Sequence, residues 1–221
     1  QDEKILVEKQ LLRQGSHSEI LNQLIQECLC EAKLKLENID CFSSGIGPGS
    51  FTGLRISLNT IKTFGYIHKK PVCGFNSLLN LAFANQKQIQ LLHQCQRITP
   101  MINAYKNMVY IAEYTLENNL LKETKEPQVV RVQELNQFIT ENSWIIGDGY
   151  ATYEKYLPED VRSKCFRNDQ LIEHPTAGHL GLLTNLPNNN KRLKSWHELV
   201  PLYLRSSEAE EVLAGIKYQA L

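Results

Sequence analysis

The sequence predicts an α/β fold. Apolar runs of strand length alternate with periodic segments of helix length along most of the chain. A glycine-rich stretch, GIGPGSFTGLRIS (45–57), joins one such run to one such segment. With 221 residues, the chain can build one large domain or two small lobes with cores of their own.

The elements follow in order. KILVEKQLL (4–12) reads as an opening strand. Ser16 and Glu19 then match a capping box, in which each side chain satisfies a free N–H at a helix start. The apolar positions behind it are Ile20, Leu21, Leu24, Ile25, Cys28, Leu29 and Ala32. They cover roughly half the circumference, wider than the ~100° stripe of a simple surface helix. IDCFSSGI (39–46) is a short buried strand leading into the glycines. Residues 52–67 form a helix with two apolar stripes: Phe51, Leu54, Leu58, Ile61 and Gly65 on one side, and Ile56, Thr60, Phe64 and Ile67 roughly opposite. Such a helix needs two covers, and periodicity does not say which stripe faces outward.

KPVCGF (70–75) is a strand and NSLLNLAFA (76–84) a helix. The Gln-rich segment 85–97 reads as a polar connection with a lobe boundary at its end, giving lobes of 1–97 and 98–221. Strands follow at 98–104 and 107–116, joined by a turn at Tyr105-Lys106-Asn107, and a third at 128–132. A helix is expected at 132–140, a strand at 143–150 ending in Gly-Asp-Gly, and a helix at 176–184. A polar loop (186–195), an extended piece (199–205) and a terminal helix (206–221), which can pack back on the first lobe, complete the chain.

Composition bounds the function. The chain is 42% apolar and 22% charged, and its 24 Lys plus Arg balance 24 Asp plus Glu. Tight unaided binding of nucleic acid is driven by neutralised phosphates and usually shows as a basic surplus, which the chain as a whole lacks. No apolar run approaches the ~18 residues of a membrane span, and no secretion signal is visible, so a cytoplasmic protein is expected. The chain opens at Gln1 without methionine, so a missing upstream piece is expected. Cysteines 28, 30, 41, 73, 95 and 165 form no C-x-x-C and read as thiols in a reducing compartment.

The glycine stretch fits neither phosphate-binding signature. Gly53 is followed by Leu54 where a Walker loop needs lysine, and Ser50 stands where a dinucleotide fingerprint from Gly45 needs glycine. Gly47, Gly49, Ser50, Thr52 and Gly53 are left with two readings: an anion-binding helix start, or a strand–helix turn. Ser50 has Pro48 and Thr52 where a nucleophile elbow needs glycines, so no catalytic serine is assigned. Asp148 between two glycines suits either Mg²⁺ or a ribose hydroxyl, or a turn in which it adopts a left-handed conformation or caps a helix. The cluster Lys191-Arg192-Leu193-Lys194 is a solvated loop or a nucleic-acid phosphate contact. His174 and His179 lack a third ligand, and no metal or cofactor site is assigned.

Taken whole, SSGIGPGSFTGLRISLNTIKTFGY resembles the TsaB family, also called YeaZ, whose hallmark is a G-x-GPGSFTGLRIG run; its final glycine is Ser57 here. HSEILNQLI (17–25), PVCGFNSLLNLA (71–82), GDGY (147–150) and PLYLR (201–205) match further family blocks in the same order. The resemblance implies a two-lobed fold of the actin, Hsp70 and sugar-kinase (ribonuclease H-like) kind. It also implies a non-catalytic subunit supporting a catalytic relative, TsaD. That enzyme transfers a threonylcarbamoyl group to the adenosine beside the anticodon of tRNAs reading codons that begin with A. A TsaE-like ATPase acts with them, tRNA is met through the complex, and self-association as a homodimer is open to the same surface. The rival readings are a nucleotide-dependent kinase or ATPase of this fold and, further off, a peptidase.

The chain departs from the family in three places. A first strand and its phosphate loop are absent from the sequence. Asn103-Ala104-Tyr105 stands where D-A-R is common. The metal-binding H-x-x-x-H of TsaD becomes His17 and Leu21. The partner surface is expected on the two helices with spare apolar faces, at Leu21, Leu24, Cys28, Leu58 and Ile61. Such an interface buries on the order of 1,600 Å². The glycine turn would aim the helix 52–67 at its partner, with Gly53 allowing close packing.

Overall fold

The structure is a computed structural model that describes residues 4–11, 17–92, 94–206, 210, 213 and 215. Its elements are α1 (His17–Glu31), β1 (Phe42–Gly47), α2 (Phe51–His68), β2 (Val72–Asn76), α3 (Ser77–Leu92), β3 (Arg97–Asn103), β4 (Met108–Glu117) and β5 (Leu120–Arg131). After them come α4 (Leu135–Phe138), β6 (Ser143–Ile146), α5 (Asp148–Tyr153), α6 (Glu159–Arg162), β7 (Cys165–Phe166) and α7 (Ala177–Asn185). The chain divides into two compact units, Gln1–Asn80 with Thr176–Leu202, and Leu81–Pro175 with Tyr203–Leu221. The boundary expected at 97 thus lies at 80, and residues 176–202 return to the first unit.

In the first unit β1 and β2 pair in parallel, Phe42 against Val72 and Ser44 against Gly74, with α2 as the crossover. Phe42, Leu58, Val72 and Leu199 form its core, and Ile39, Ile46, Ile61 and Phe64 pack around them. The Phe42 and Phe64 rings meet at 5.4 Å. Helix α7 joins β1 through the hydroxyls of Ser43 and Thr184, 2.8 Å apart. Its N-cap, Thr176, accepts the N–H of His179 at 3.3 Å. The strand expected at 4–12 does not form over the described residues 4–11. This segment is held by side chains instead: Glu8 accepts the N–H of Gly178 at 2.6 Å, and Lys9 pairs with Glu27 and Glu31 of α1 at 3.3 Å. Ser16 of the expected capping box lies outside the described residues.

The second unit is a five-stranded sheet in the order β5-β4-β3-β6-β7. β3, β4 and β5 are antiparallel neighbours, and β6 and β7 continue parallel to β3. The turn at Tyr105, Lys106 and Asn107 is present, all three with positive φ. Met101, Val109, Ile111, Leu135 and Ile145 lie at the centre of the core. The expected strand 128–132 is the end of a longer one, and the helix expected at 132–140 shrinks to α4 behind a 3-10 turn. The strand expected to run to 150 stops at Ile146.

The Gln-rich segment is not a connection: α3 continues through it to Leu92. Asn85 and Ile89 are buried on one helical face with Ala82. The Asn85 amide donates to the carbonyls of Leu81 and Ile172 and accepts the N–H of Ile172. Glutamine favours helix nearly as well as leucine, so composition alone misled here. The piece 199–205 forms no strand, although the N–H of Leu202 reaches the carbonyl of Ile46 at 2.7 Å. Most of 206–221 lies outside the described residues. Among those described, no helix is long and apolar enough to cross a membrane.

Candidate functional site

The glycine turn has a definite construction. β1 ends at Gly47, whose φ of +112° is closed to most side chains; a Cβ there would stand 2.6 Å from the carbonyl oxygen of Leu202. The Gly47–Pro48 peptide is cis. Ser50 is the N-cap of α2, its hydroxyl accepting the N–H of Gly53 at 3.2 Å, and the N–H of Leu54 returns to the Ser50 carbonyl. A Cβ on Gly49 would meet nothing within 4 Å, and Thr52 is exposed. A Cβ on Gly53 would meet only Ser50, at an ordinary 3.4 Å. Gly53 therefore does not mark a close approach; Gly47 does.

Of the two stripes on α2, the one holding Leu54, Leu58 and Gly65 faces inward. Leu58 is 3% exposed, and Ile61 packs beside it in the same core. These two residues of the expected partner surface are core residues, because Phe42 and Val72 on the sheet need that stripe as their cover. The outward stripe is the other: Ile56 and Thr60 are half-buried, Thr63 is exposed, and Ile67 is 61% exposed. Phe64 belongs to the core side through its contact with Phe42.

On α1, Leu21, Leu24 and Cys28 are half-buried, and no described residue of the helix is fully buried. Its exposed arc is mostly polar: Asn22, Gln23, Gln26 and Cys30. The over-wide apolar face read from the sequence has a partial explanation. Cys28, Leu29 and Ala32 line a cavity of about 500 Å³ that is also walled by Ile5, Cys41 and Leu180. Three of the seven apolar positions of this face therefore line the cavity.

The remaining candidates hold backbone. Asp148 is the first residue of α5, not left-handed, and its carboxylate accepts the N–H of Asn103 at 3.0 Å. Asn103 in turn accepts the N–H of Tyr105 and the hydroxyl of Tyr153. Two residues with no sequence signal complete the corner. Glu173 accepts the N–H of Gly147 at 2.6 Å, and Arg167 donates to Glu173 and to the carbonyl of Ile145 while lying 4.7 Å over the Tyr150 ring. Their positions 20 and more residues downstream carried no motif. The Nδ1 of His179 contacts the Thr176 hydroxyl at 2.7 Å, within the α7 cap, and His174 is exposed. The side chain of His17 lies outside the described residues. Among the described residues no group of three or more His, Cys, Asp or Glu could hold a metal ion.

Burial pushes the thiols of Cys73 and Cys165 up to about 11. The folded state therefore favours the neutral thiol. Stability from this source is complete below the unfolded thiol value of about 8.5 and is lost as pH rises toward 11. Urea midpoints should fall between those limits, and Cys73→Ala combined with Cys165→Ala should flatten that part of the profile. Exposed Cys30 should react with a thiol reagent at neutral pH while Cys73 and Cys165 stay protected.

A family profile described as TsaD: tRNA N6-adenosine threonylcarbamoyltransferase matches residues 11–212. The chain belongs to the TsaD family. Among its relatives are proteins named TsaB. It is 26% identical over 213 residues to the tRNA threonylcarbamoyladenosine biosynthesis protein TsaB of Haemophilus influenzae, covering 92% of this chain and 86% of that relative. The Bacillus subtilis protein of the same name is 28% identical over 167 residues, 74% of this chain and 69% of the relative. In fold, YeaZ from Pseudomonas aeruginosa superposes with a TM-score of 0.70 at 22% identity, covering 85% of each chain. The α/β fold implied by the TsaB hallmark is therefore the fold observed.

Proposed function

We propose that this chain serves tRNA threonylcarbamoyladenosine biosynthesis as a non-catalytic subunit that docks a TsaD-type threonylcarbamoyltransferase. The similarity to TsaB supports the pathway. The docking role rests on one observation, the outward stripe of α2. Ile56, Thr60, Thr63 and Ile67 give a low, β-branched ridge beside the half-buried α1, a shape that suits helix-on-helix packing. The site groups favour a non-catalytic role: the Ser50 hydroxyl caps α2 and the Asp148 carboxylate holds a backbone N–H. In this reading Leu21, Leu24 and Cys28 support the ridge from α1, and Leu58 and Ile61 hold it from within. A TsaE-like ATPase joins the assembly, and the same ridge pairs with its own copy when the partner is absent, since a two-fold contact uses one surface twice.

Ile67→Asp places an unpaired charge on the ridge. Co-purification with the TsaD-type partner should weaken by about tenfold or more, with little change in the thermal midpoint. Unchanged capture by this folded variant would refute the ridge as the docking surface. Calorimetry of the isolated chain with ATP and Mg²⁺ should show no turnover; hydrolysis would refute the non-catalytic reading.

A further inference from the structure

The whole-chain charge balance hides a local excess. Residues 62–70 and 191–198 hold Lys62, Lys69, Lys70, Lys191, Arg192 and Lys194, against the single carboxylate of Glu198. The fold of the first unit brings these two segments together. Lys194 exchanges backbone hydrogen bonds with Val72 at 2.9 Å in both directions, just beyond the end of α2. The Trp196 ring stands edge-on to Tyr66 at 5.4 Å and to His197 at 5.5 Å. Tyr66 is 64% exposed and Trp196 40% exposed. Lys69, Lys191, Arg192 and Lys194 are exposed, and among the described residues none pairs with a carboxylate. Lys70 pairs with Asp40 at 3.7 Å, and Glu198 accepts the N–H of Ser195 at 2.8 Å. Lys62 shares a helical face with Tyr66, one turn away.

We propose that this corner binds structured RNA directly, with Lys69, Lys191, Arg192 and Lys194 on phosphates and an unpaired base stacked on Trp196. Cations fixed beside an exposed indole and phenol match what RNA offers at a loop: a charged backbone and a splayed, flat base. An acidic polypeptide would meet the cations and leave the rings without a flat partner. The proposal deepens the reading above, on which it rests only for the choice of tRNA as the RNA. It assigns to this chain a contact that the family resemblance reserves for the assembled complex. The neutral net charge does not oppose it, because counterion release depends on the phosphates contacted locally.

The test titrates the full chain with a fluorescein-labelled, unmodified tRNA transcript over a salt series, reading anisotropy and tryptophan fluorescence together. Trp144 is 2% exposed, so quenching reports on Trp196. Wild type should bind with quenching. The triple variant Lys191→Gln, Arg192→Gln, Lys194→Gln should bind about tenfold or more weakly, and its log–log salt slope should be shallower by about 2 to 3. Trp196→Phe should lose the quench. Full-strength binding by the triple variant, or binding without quench, overturns the proposal. So does equal displacement of the tRNA by a polyglutamate peptide, which would assign the corner to an acidic protein. Capture of the TsaD-type partner is measured on the same triple variant. Lost RNA affinity with partner capture intact supports the corner, whereas failure of the wild type to capture the partner would sink the docking reading and leave the RNA result standing.

Discussion

Leu58→Ala is expected to destabilise the protein by about 2–5 kcal/mol, a drop in melting temperature on the order of 10 °C. Leu58 sits at the meeting point of Phe42, Val72 and Leu199, where α2 covers the two strands that its sheet has among the described residues. A truncated side chain leaves a void that neither strand can close, since both are fixed by their parallel register. Leu58→Asp goes further and buries a carboxylate among apolar neighbours, so the first unit should not fold. Circular dichroism and urea denaturation read both variants. The contrast with Ile67→Asp is the sharper check, because the two residues share one helix. The inward variant should lose stability, and the outward one should keep it and lose the partner. Equal stability for wild type and Leu58→Ala would remove Leu58 from the core and reopen the other assignment of the stripes.

What the sequence could say about α2 was limited in a specific way. Its two stripes were legible from spacing, and so was the helix itself between Ser50 and Lys69. The direction of each stripe was not, because Leu58 and Ile67 are equally apolar, and only the positions of Phe42 and Val72 separate them. The same limit explains α1. A wide apolar face signals a need for cover, and the sequence could not show that a cavity lined by Cys28, Cys41 and Leu180 takes part of it. At α3 the Gln-rich composition hides buried Asn85 and Ile89, and the burial of Asn85 makes sense only once Ile172 is bonded to its amide. Only the end of β5 is legible in the sequence, because it alternates charged and part-covered residues at the edge of its sheet, a pattern that protects an edge and weakens the strand signal. The sequence leaves the glycine turn two readings, and the cap by Ser50 gives its local structure.

The turn after β6 was marked in the sequence by Gly-Asp-Gly, yet the three residues do different work. Gly147 has φ +103° and ψ 159°, a region essentially closed to residues with a side chain. A Cβ there would stand 2.3 Å from the carbonyl oxygen of Met101, and that oxygen belongs to the central strand β3 and cannot swing aside. The Gly147 N–H is meanwhile fixed by Glu173, which Arg167 holds in place. Gly147→Ala therefore meets a strained dihedral and a backbone clash at once, and should cost about 3 kcal/mol or more. Gly181 supplies the matched control: it lies within α7 with nothing inside 4 Å of an added Cβ, so Gly181→Ala should be neutral or stabilising by up to about 1 kcal/mol. Denaturant midpoints for the pair separate the two effects of removing a glycine. If Gly147→Ala unfolds at the wild-type midpoint, the loop is not held by Met101 and Glu173. The ordering of Asp148 and Asn103 that depends on it would then have to be abandoned as well.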